Sequence, residues 1–315
     1  MNPFKYSDTN LRYHSYSYYL KHKYQHKVFK VPLNAGFTCP NRDGLLGTGG
    51  CLFCSSQGSG DCIAPAADLL TQFKAGREMM LKKWPDGQAI AYFQAYTNTY
   101  ATIDTLENLY RPFADNPDVR ELAIATRADC LDDTKIEYLA ALNRQKPLTI
   151  ELGLQSIHDE TMRLMNRGHD HACLEKTVRQ LHKHGLRICL HLINGLPGET
   201  DDMMLETAQA VARLKPEGVK IHMLHVLADA PLGKLYRESP FPLLTRADYV
   251  RIVINQLTCL PPETVIERLT GDGMADKLIA PLWTADKITV LNTIAKQMVQ
   301  TDTFQGKNYA AAKHP

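Results

Sequence analysis

From about residue 28 onward, short apolar runs alternate with helix-length amphipathic stretches, the pattern of repeated βα units around a parallel sheet. Strands are predicted at Val28–Asn34, Ala89–Gln94, Glu121–Thr126, Leu148–Leu154, Arg187–Ile193 and Val219–Val226. Several are continuous apolar runs, as suits strands buried on both faces. Helices are predicted between them at Asp68–Lys83, Thr105–Ala114, Asp132–Asn143, Leu174–His184, Asp201–Arg213 and Thr245–Leu257. In the fourth, Leu174, Val178 and Leu181 share one face, and Gly185 stands where a left-handed C-cap would sit. The fold class that follows is α/β: an open or partial (β/α)6 TIM-like barrel, with its functional loops at the C-terminal ends of the strands. One more strand is expected at Thr264–Leu269, then a helix near Thr284–Val299 and a polar tail. The simplest partition is an N-terminal basic and aromatic extension (1–27), the barrel (28–259) and a C-terminal extension (260–315).

With 315 residues and 44% hydrophobic content, the chain can bury a sizeable core. No apolar run reaches the eighteen or so residues of a membrane span, and the N-terminus lacks the apolar stretch of a secretory signal, so a cytoplasmic protein without a membrane partner is expected. In that compartment eight cysteines point to metal ligands or buried thiols, not to disulfides. The net charge of +2 is small, but Lys5, Arg12, Lys21, Lys23, Lys27 and Lys30 face only Asp8 within the first thirty residues.

The strongest chemical signal follows the first strand: Cys39, Cys51 and Cys54, spaced C-x11-C-x2-C on a loop with glycines at 44, 47, 49 and 50. Three thiolates on such a loop can ligate three irons of a 4Fe-4S cubane and leave the fourth iron open. Zinc held with Cys62 as fourth ligand is the alternative, followed by three unrelated buried thiols. The remaining cysteines, at 62, 130, 173, 189 and 259, form no second C-x2-C pair, so an auxiliary cluster is not expected.

An ordered set of motifs follows the cysteines: Tyr92 to Thr99, Ala125-Thr126-Arg127-Ala128-Asp129, Glu151 to Ser156, Asn166-Arg167-Gly168-His169 and Ile193 to Thr200. Together with the cysteine loop, this set resembles the radical S-adenosylmethionine (SAM) enzymes. It is similar in particular to the branch of the Elongator catalytic subunit and oxygen-independent coproporphyrinogen oxidase, and over nearly the whole chain to the YhcC-type family. The resemblance implies a 4Fe-4S cluster on Cys39, Cys51 and Cys54, SAM on the open iron, and reductive SAM cleavage to a 5′-deoxyadenosyl radical. It also implies a flavodoxin- or ferredoxin-type reductant. Carried over position by position, the implied cofactor contacts are Phe53 near the adenine and Gln94, Thr97 and Asn98 near the methionine amino group. Gln155 and Arg167 match ribose and carboxylate contacts, where a guanidinium fork suits a carboxylate. Gly195 and Gly198 match a turn along the adenine, and the motif residues Arg127 and Glu151 fall within the same set. The chain departs from the branch at Ala125, where Glu is frequent, and at His191, where a SAM-contacting Asp is expected.

For substrate, the stretch from Arg12 to Lys27 interleaves basic and aromatic residues that could contact RNA phosphates and stack on bases. An amphipathic helix with packed tyrosines and solvated lysines accounts for the same pattern. Because relatives in the Elongator branch act on the tRNA wobble uridine, tRNA is the expected substrate and partner. Radical chemistry on a small metabolite is the rival enzyme, and a zinc-stabilised binding protein without catalysis is the rival from another class.

Overall fold

The computed structural model describes residues 2–58, 60, 63 and 68–309. Its strands are β1 (Val28–Leu33), β2 (Gln88–Phe93), β3 (Val119–Thr126), β4 (Leu148–Gln155), β5 (Arg187–Asn194), β6 (Gly218–Met223), β7 (Val226–Leu227), β8 (Val265–Arg268) and β9 (Leu278–Ala280). Its helices are α1 (Tyr16–Tyr24), α2 (Leu69–Leu81), α3 (Ile103–Ala114), α4 (Asp133–Gln145), α5 (Asp159–Leu164), α6 (His171–Lys183), α7 (Asp201–Leu214), α8 (Pro231–Glu238), α9 (Arg246–Cys259) and α10 (Lys287–Gln300). Seven strands make one sheet in the order β1-β2-β3-β4-β5-β6-β8, with β1/β2, β2/β3, β3/β4 and β6/β8 paired in parallel. No described helix is long and apolar enough to cross a membrane.

Helix starts follow the side-chain chemistry of their caps. The side chains of Asp68, Thr102, Asp132, Asp170, Thr200, Thr245 and Asp286 each accept a bond from a backbone N–H of the first turn. These bonds satisfy donors that have no partner within the helix. Thr245 and Asp248 complete a reciprocal capping box at α9.

The chain divides into two compact units. One comprises Leu20–Gly153 and Asn166–Cys189. Its core contains an aromatic cluster: the Phe93 ring of β2 meets Tyr110 and Phe113 of α3 edge to face at 4.8 and 5.1 Å, and Phe73 of α2 reaches Phe113 at 5.9 Å. Side chains of this size contribute about 1.5–3 kcal/mol each when fully buried. Tyr110 also donates its hydroxyl to the Asn98 carbonyl, so the same core anchors the loop that leaves β2.

The other unit comprises Met1–Tyr19, Leu154–Met165 and Leu190–Pro315. Here α7 and α9 pack together, and the buried Asn194 and Gln256 amides bond reciprocally at 2.8 and 2.9 Å. The polar tail expected after α10 is held in place as far as residue 309. Gln305 is fully buried, its amide donates to the Pro261 and Thr264 carbonyls, and its oxygen accepts from the His14 backbone. A polar side chain is stable inside when each of its groups is bonded.

Other expectations need correction. The predicted strand at 219–226 is two strands, since the chain breaks at Leu224, whose N–H turns to the Asn194 carbonyl, and β7 then pairs antiparallel with β9. The sheet also has one strand more than the six predicted for the barrel, because β8 joins it beside β6. The helices α5 and α8 were not predicted; six and eight residues hold too little periodicity to read. The basic and aromatic stretch contains α1, which buries Leu20 and Tyr24 four residues apart.

Candidate active site

The cysteine loop leaves β1 at its C-terminal end and is built on tight backbone turns. Arg42 N bonds Cys39 O at 2.9 Å, Gly50 N bonds Asn41 O at 2.8 Å and Cys54 N bonds Cys51 O at 3.0 Å. Gly50 is obligatory in this path: its φ is +77°, and a Cβ there would lie 2.6 Å from Arg42 Nε. Arg42 in turn donates to the Ser55 carbonyl at 2.7 Å and lies over the Tyr96 ring, while the Tyr96 hydroxyl donates to Ser56 O at 2.7 Å. The segment after the third cysteine is thereby fixed.

Two asparagines lock this loop to the one that follows α5. Asn41 Nδ2 donates to Asn166 O at 3.0 Å and to Cys51 Sγ at 3.3 Å, and Asn166 Nδ2 donates to Gly50 O at 2.7 Å. The lock brings Arg167 to the sulfurs, with Nη1 3.9 Å from Cys51 Sγ and Nη2 donating to Gly153 O at 2.7 Å. Gly168 follows at φ +84°, where a Cβ would crowd Arg127 Nη2 at 3.1 Å. Arg127 is held from its other side by Asp129, through a bidentate pair at 2.9 and 2.7 Å.

The sulfur chemistry reflects these neighbours. Cys54 donates to Cys51, which holds the Cys51 pKa well below its ordinary value against burial, with Arg167, Arg127 and Asn41 adding to the effect. The same bond, with burial, pushes Cys54 up, and burial raises Cys39 although its sulfur lies 2.9 Å from Thr97 Oγ1. His169, at the end of the second loop, is depressed to about 4 by burial and by Arg167, so it is neutral at pH 7.

Four buried polar atoms in this neighbourhood have no hydrogen-bond partner among the described residues: Asn98 Oδ1, Arg127 Nη1, Arg167 Nε and His169 Nε2. Unsatisfied buried donors or acceptors cost about 1–3 kcal/mol each, more when charged, and call for an explanation.

The expected site residues fall into two groups. Cys39, Cys51, Cys54, Thr97, Asn98, Arg127 and Arg167 are placed around one loop in one unit, and Phe53 and Gln94 belong to the same unit, half-buried. Asn98 Nδ2 is engaged by the Phe93, Ala95 and Ala125 carbonyls, and its oxygen has no partner among the described residues. Glu151 is engaged within the sheet: Lys30 donates to one carboxylate oxygen at 2.6 Å and Tyr92 to the other at 2.8 Å. Gln155, His191 and Gly195 belong to the other unit. Gln155 has φ +69°, the His191 ring lies 5.5 Å from that of His222, and Gly195 N bonds Met204 Sδ at 3.2 Å. Cys62, the fourth ligand of the zinc alternative, lies outside the described residues. Asn41, Arg42, Tyr96, Asp129 and His169 were not singled out in sequence, although each lies in or beside a quoted motif.

Comparison with known proteins decides the family. A model of the radical SAM superfamily matches residues 39–211, and a model of the radical SAM C-terminal domain matches 216–300. The chain belongs to the radical SAM superfamily. Radical SAM enzymes use a 4Fe-4S cluster and SAM, and this chain is one of them. YtqA of Bacillus subtilis (strain 168) is 48% identical over 97% of this chain and 95% of its own length. YhcC of Escherichia coli (strain K12) is 34% identical over 86% and 87%, respectively. Among solved structures, an N-terminally truncated archaeal Elp3 from Methanocaldococcus infernus superposes with a TM-score of 0.66 at 18% identity. It is covered over 64% of its length, against 89% of this chain, and shows the fold: a partial barrel of parallel strands.

Proposed function

We propose that Cys39, Cys51 and Cys54 hold three irons of the cluster and that SAM fills the site marked by the unpartnered groups of Asn98, Arg127, Arg167 and His169. The observation that carries this reading is that two buried guanidinium groups, each keeping one nitrogen without a partner among the described residues, stand beside Cys51, which is bonded to Cys54 and lies within electrostatic reach of Cys39 on the same loop. The donor set fits both groups. Three thiolates and the cluster's charge are compensated by Arg127 and Arg167, and free guanidinium N–H groups suit the carboxylate of an amino acid.

Bound together, the cluster and SAM supply hydrogen-atom abstraction driven by one electron from a flavodoxin- or ferredoxin-type reductant. The chain's own residues hold and orient. Asn41 holds Cys51 in place through a bond to its sulfur, the Asn41–Asn166 lock delivers Arg167, and Asp129 aims Arg127. Neutral His169 offers one ring nitrogen without adding charge.

The substrate in this reading is tRNA, modified at the wobble uridine. Its support is a likeness to tRNA uridine(34) acetyltransferase of Methanocaldococcus infernus, 26% identical over 50% of this chain and 30% of that protein. The test is anaerobic incubation of reconstituted, reduced protein with SAM and tRNA lacking the modification. Formation of 5′-deoxyadenosine coupled to a mass change at uridine 34 is expected; SAM cleavage indifferent to tRNA, with every nucleoside unchanged, would contradict it.

A further inference from the structure

The cations of the basic and aromatic stretch do not stand alone in the fold. At the N-terminal ends of β1, β2 and β3 they meet cations from two other segments. Lys27, just before β1, and Lys83, just after α2, both lie over the Trp84 ring, at 4.5 and 4.7 Å. Beside them, Lys23 of α1 and Arg120 of β3 both lie over the Tyr24 ring, at 4.8 Å each. Parallel pairing of Val28 with Gln88 and of Ala89 with Val119 puts these two stacks on one rim. Lys27, Lys82, Lys83 and Arg120 are exposed. Of the acids in these segments, Glu121 accepts from Tyr24 and Lys23 and Asp118 is paired with Arg77 at 2.8 Å, while Asp86 is an exposed negative charge set against the four cations.

We infer that this rim is a docking surface for an RNA backbone, with Lys27, Lys82, Lys83 and Arg120 as its phosphate contacts. The inference rests on the tRNA reading above and adds where the tRNA is held. Clustered, solvent-facing cations supply the sequence-independent part of nucleic-acid binding. The position selects the partner. The cysteine loop leaves the opposite end of β1, a six-residue strand about 20 Å long. An extended polyanion can bridge that distance, whereas a small acidic electron donor docked on this rim would be held a full strand away from the cysteines. Both rings are covered by cations, unlike the protruding aromatic groups with which a protein enters a lipid surface.

The test is salt-dependent tRNA binding by wild type and by Lys27→Glu/Lys82→Glu/Lys83→Glu. Lys23 is left intact because a carboxylate there would face Glu121. The variant is expected to bind tRNA at least about ten-fold more weakly, with the slope of log affinity against log salt reduced by about 2 for three lost phosphate contacts. Its SAM cleavage without RNA should keep the wild-type rate. The corresponding Lys→Gln variant introduces no new charge and should show the same loss of slope even if the charge reversal fails to fold. Wild-type affinity and slope in either variant would overturn the docking surface and leave the tRNA reading standing. Failure of wild type itself to bind tRNA, or binding only to phosphatidylserine vesicles, would overturn both.

Discussion

Two sets of buried charges in the same unit are finished differently. Beside the cysteine loop, Arg127 and Arg167 each keep a buried nitrogen without a partner among the described residues. Within the sheet, Glu151 is fully enclosed and both its oxygens are bonded, to Lys30 and Tyr92, while Glu121 is bonded to Lys23 and Tyr24. A saturated network stabilises and specifies a fold, whereas an incomplete one is tolerated where something else completes it. The comparison separates buried charges whose partners are complete from those left open, and Glu151, expected among the cofactor contacts, stands with the first through its bonds to Lys30 and Tyr92.

The largest effect should come from breaking the saturated network. Glu151→Gln leaves Lys30 charged and poorly paired, and should destabilise the fold by about 3–5 kcal/mol in urea unfolding. Lys30→Met/Glu151→Leu, which removes both charges, should recover most of that loss. If both variants were equally unstable, the pair would not be the source of the effect.

A smaller effect is expected where the network is open. Asp129→Asn keeps the shape but removes the charge that holds Arg127, so the KM for SAM should rise about ten-fold, or about 1.4 kcal/mol, with little change in thermal stability. An unchanged KM together with a lower melting temperature would make the Arg127–Asp129 pair structural, like Lys30–Glu151.

The smallest effect concerns pH. His169 has a folded pKa of about 4, below the usual 6.5, so between these values the unfolded chain binds more protons. Stability from this group is therefore complete above about pH 6.5 and declines as pH falls toward 4. His169→Gln should flatten the unfolding free energy over that window, and an unaltered slope would place His169 in water.

Strand and helix positions were legible because alternating runs of apolar residues are local, and of the six strands of the expected barrel five are found with small shifts at their ends and the sixth is broken in two. The cysteine loop was legible because its three thiols lie within sixteen residues of sequence. What escaped joins distant residues. Asn41 and Asn166 are 125 positions apart and Lys30 and Glu151 are 121 apart, and no periodicity links them. The break between β6 and β7 escaped for a related reason: an apolar run does not show that its end will pair with β9, more than fifty residues later.

The central claim is that Cys39, Cys51 and Cys54, and no other thiols, carry the cluster. It is tested most directly by anaerobic iron–sulfide reconstitution of wild type, Cys51→Ala and Cys130→Ala, followed by iron and sulfide analysis and an assay for 5′-deoxyadenosine from SAM under dithionite. The account predicts a full cluster and SAM cleavage in wild type and Cys130→Ala, and neither in Cys51→Ala. A cluster that survives Cys51→Ala, or bound zinc in wild type with no cleavage of SAM, would contradict it.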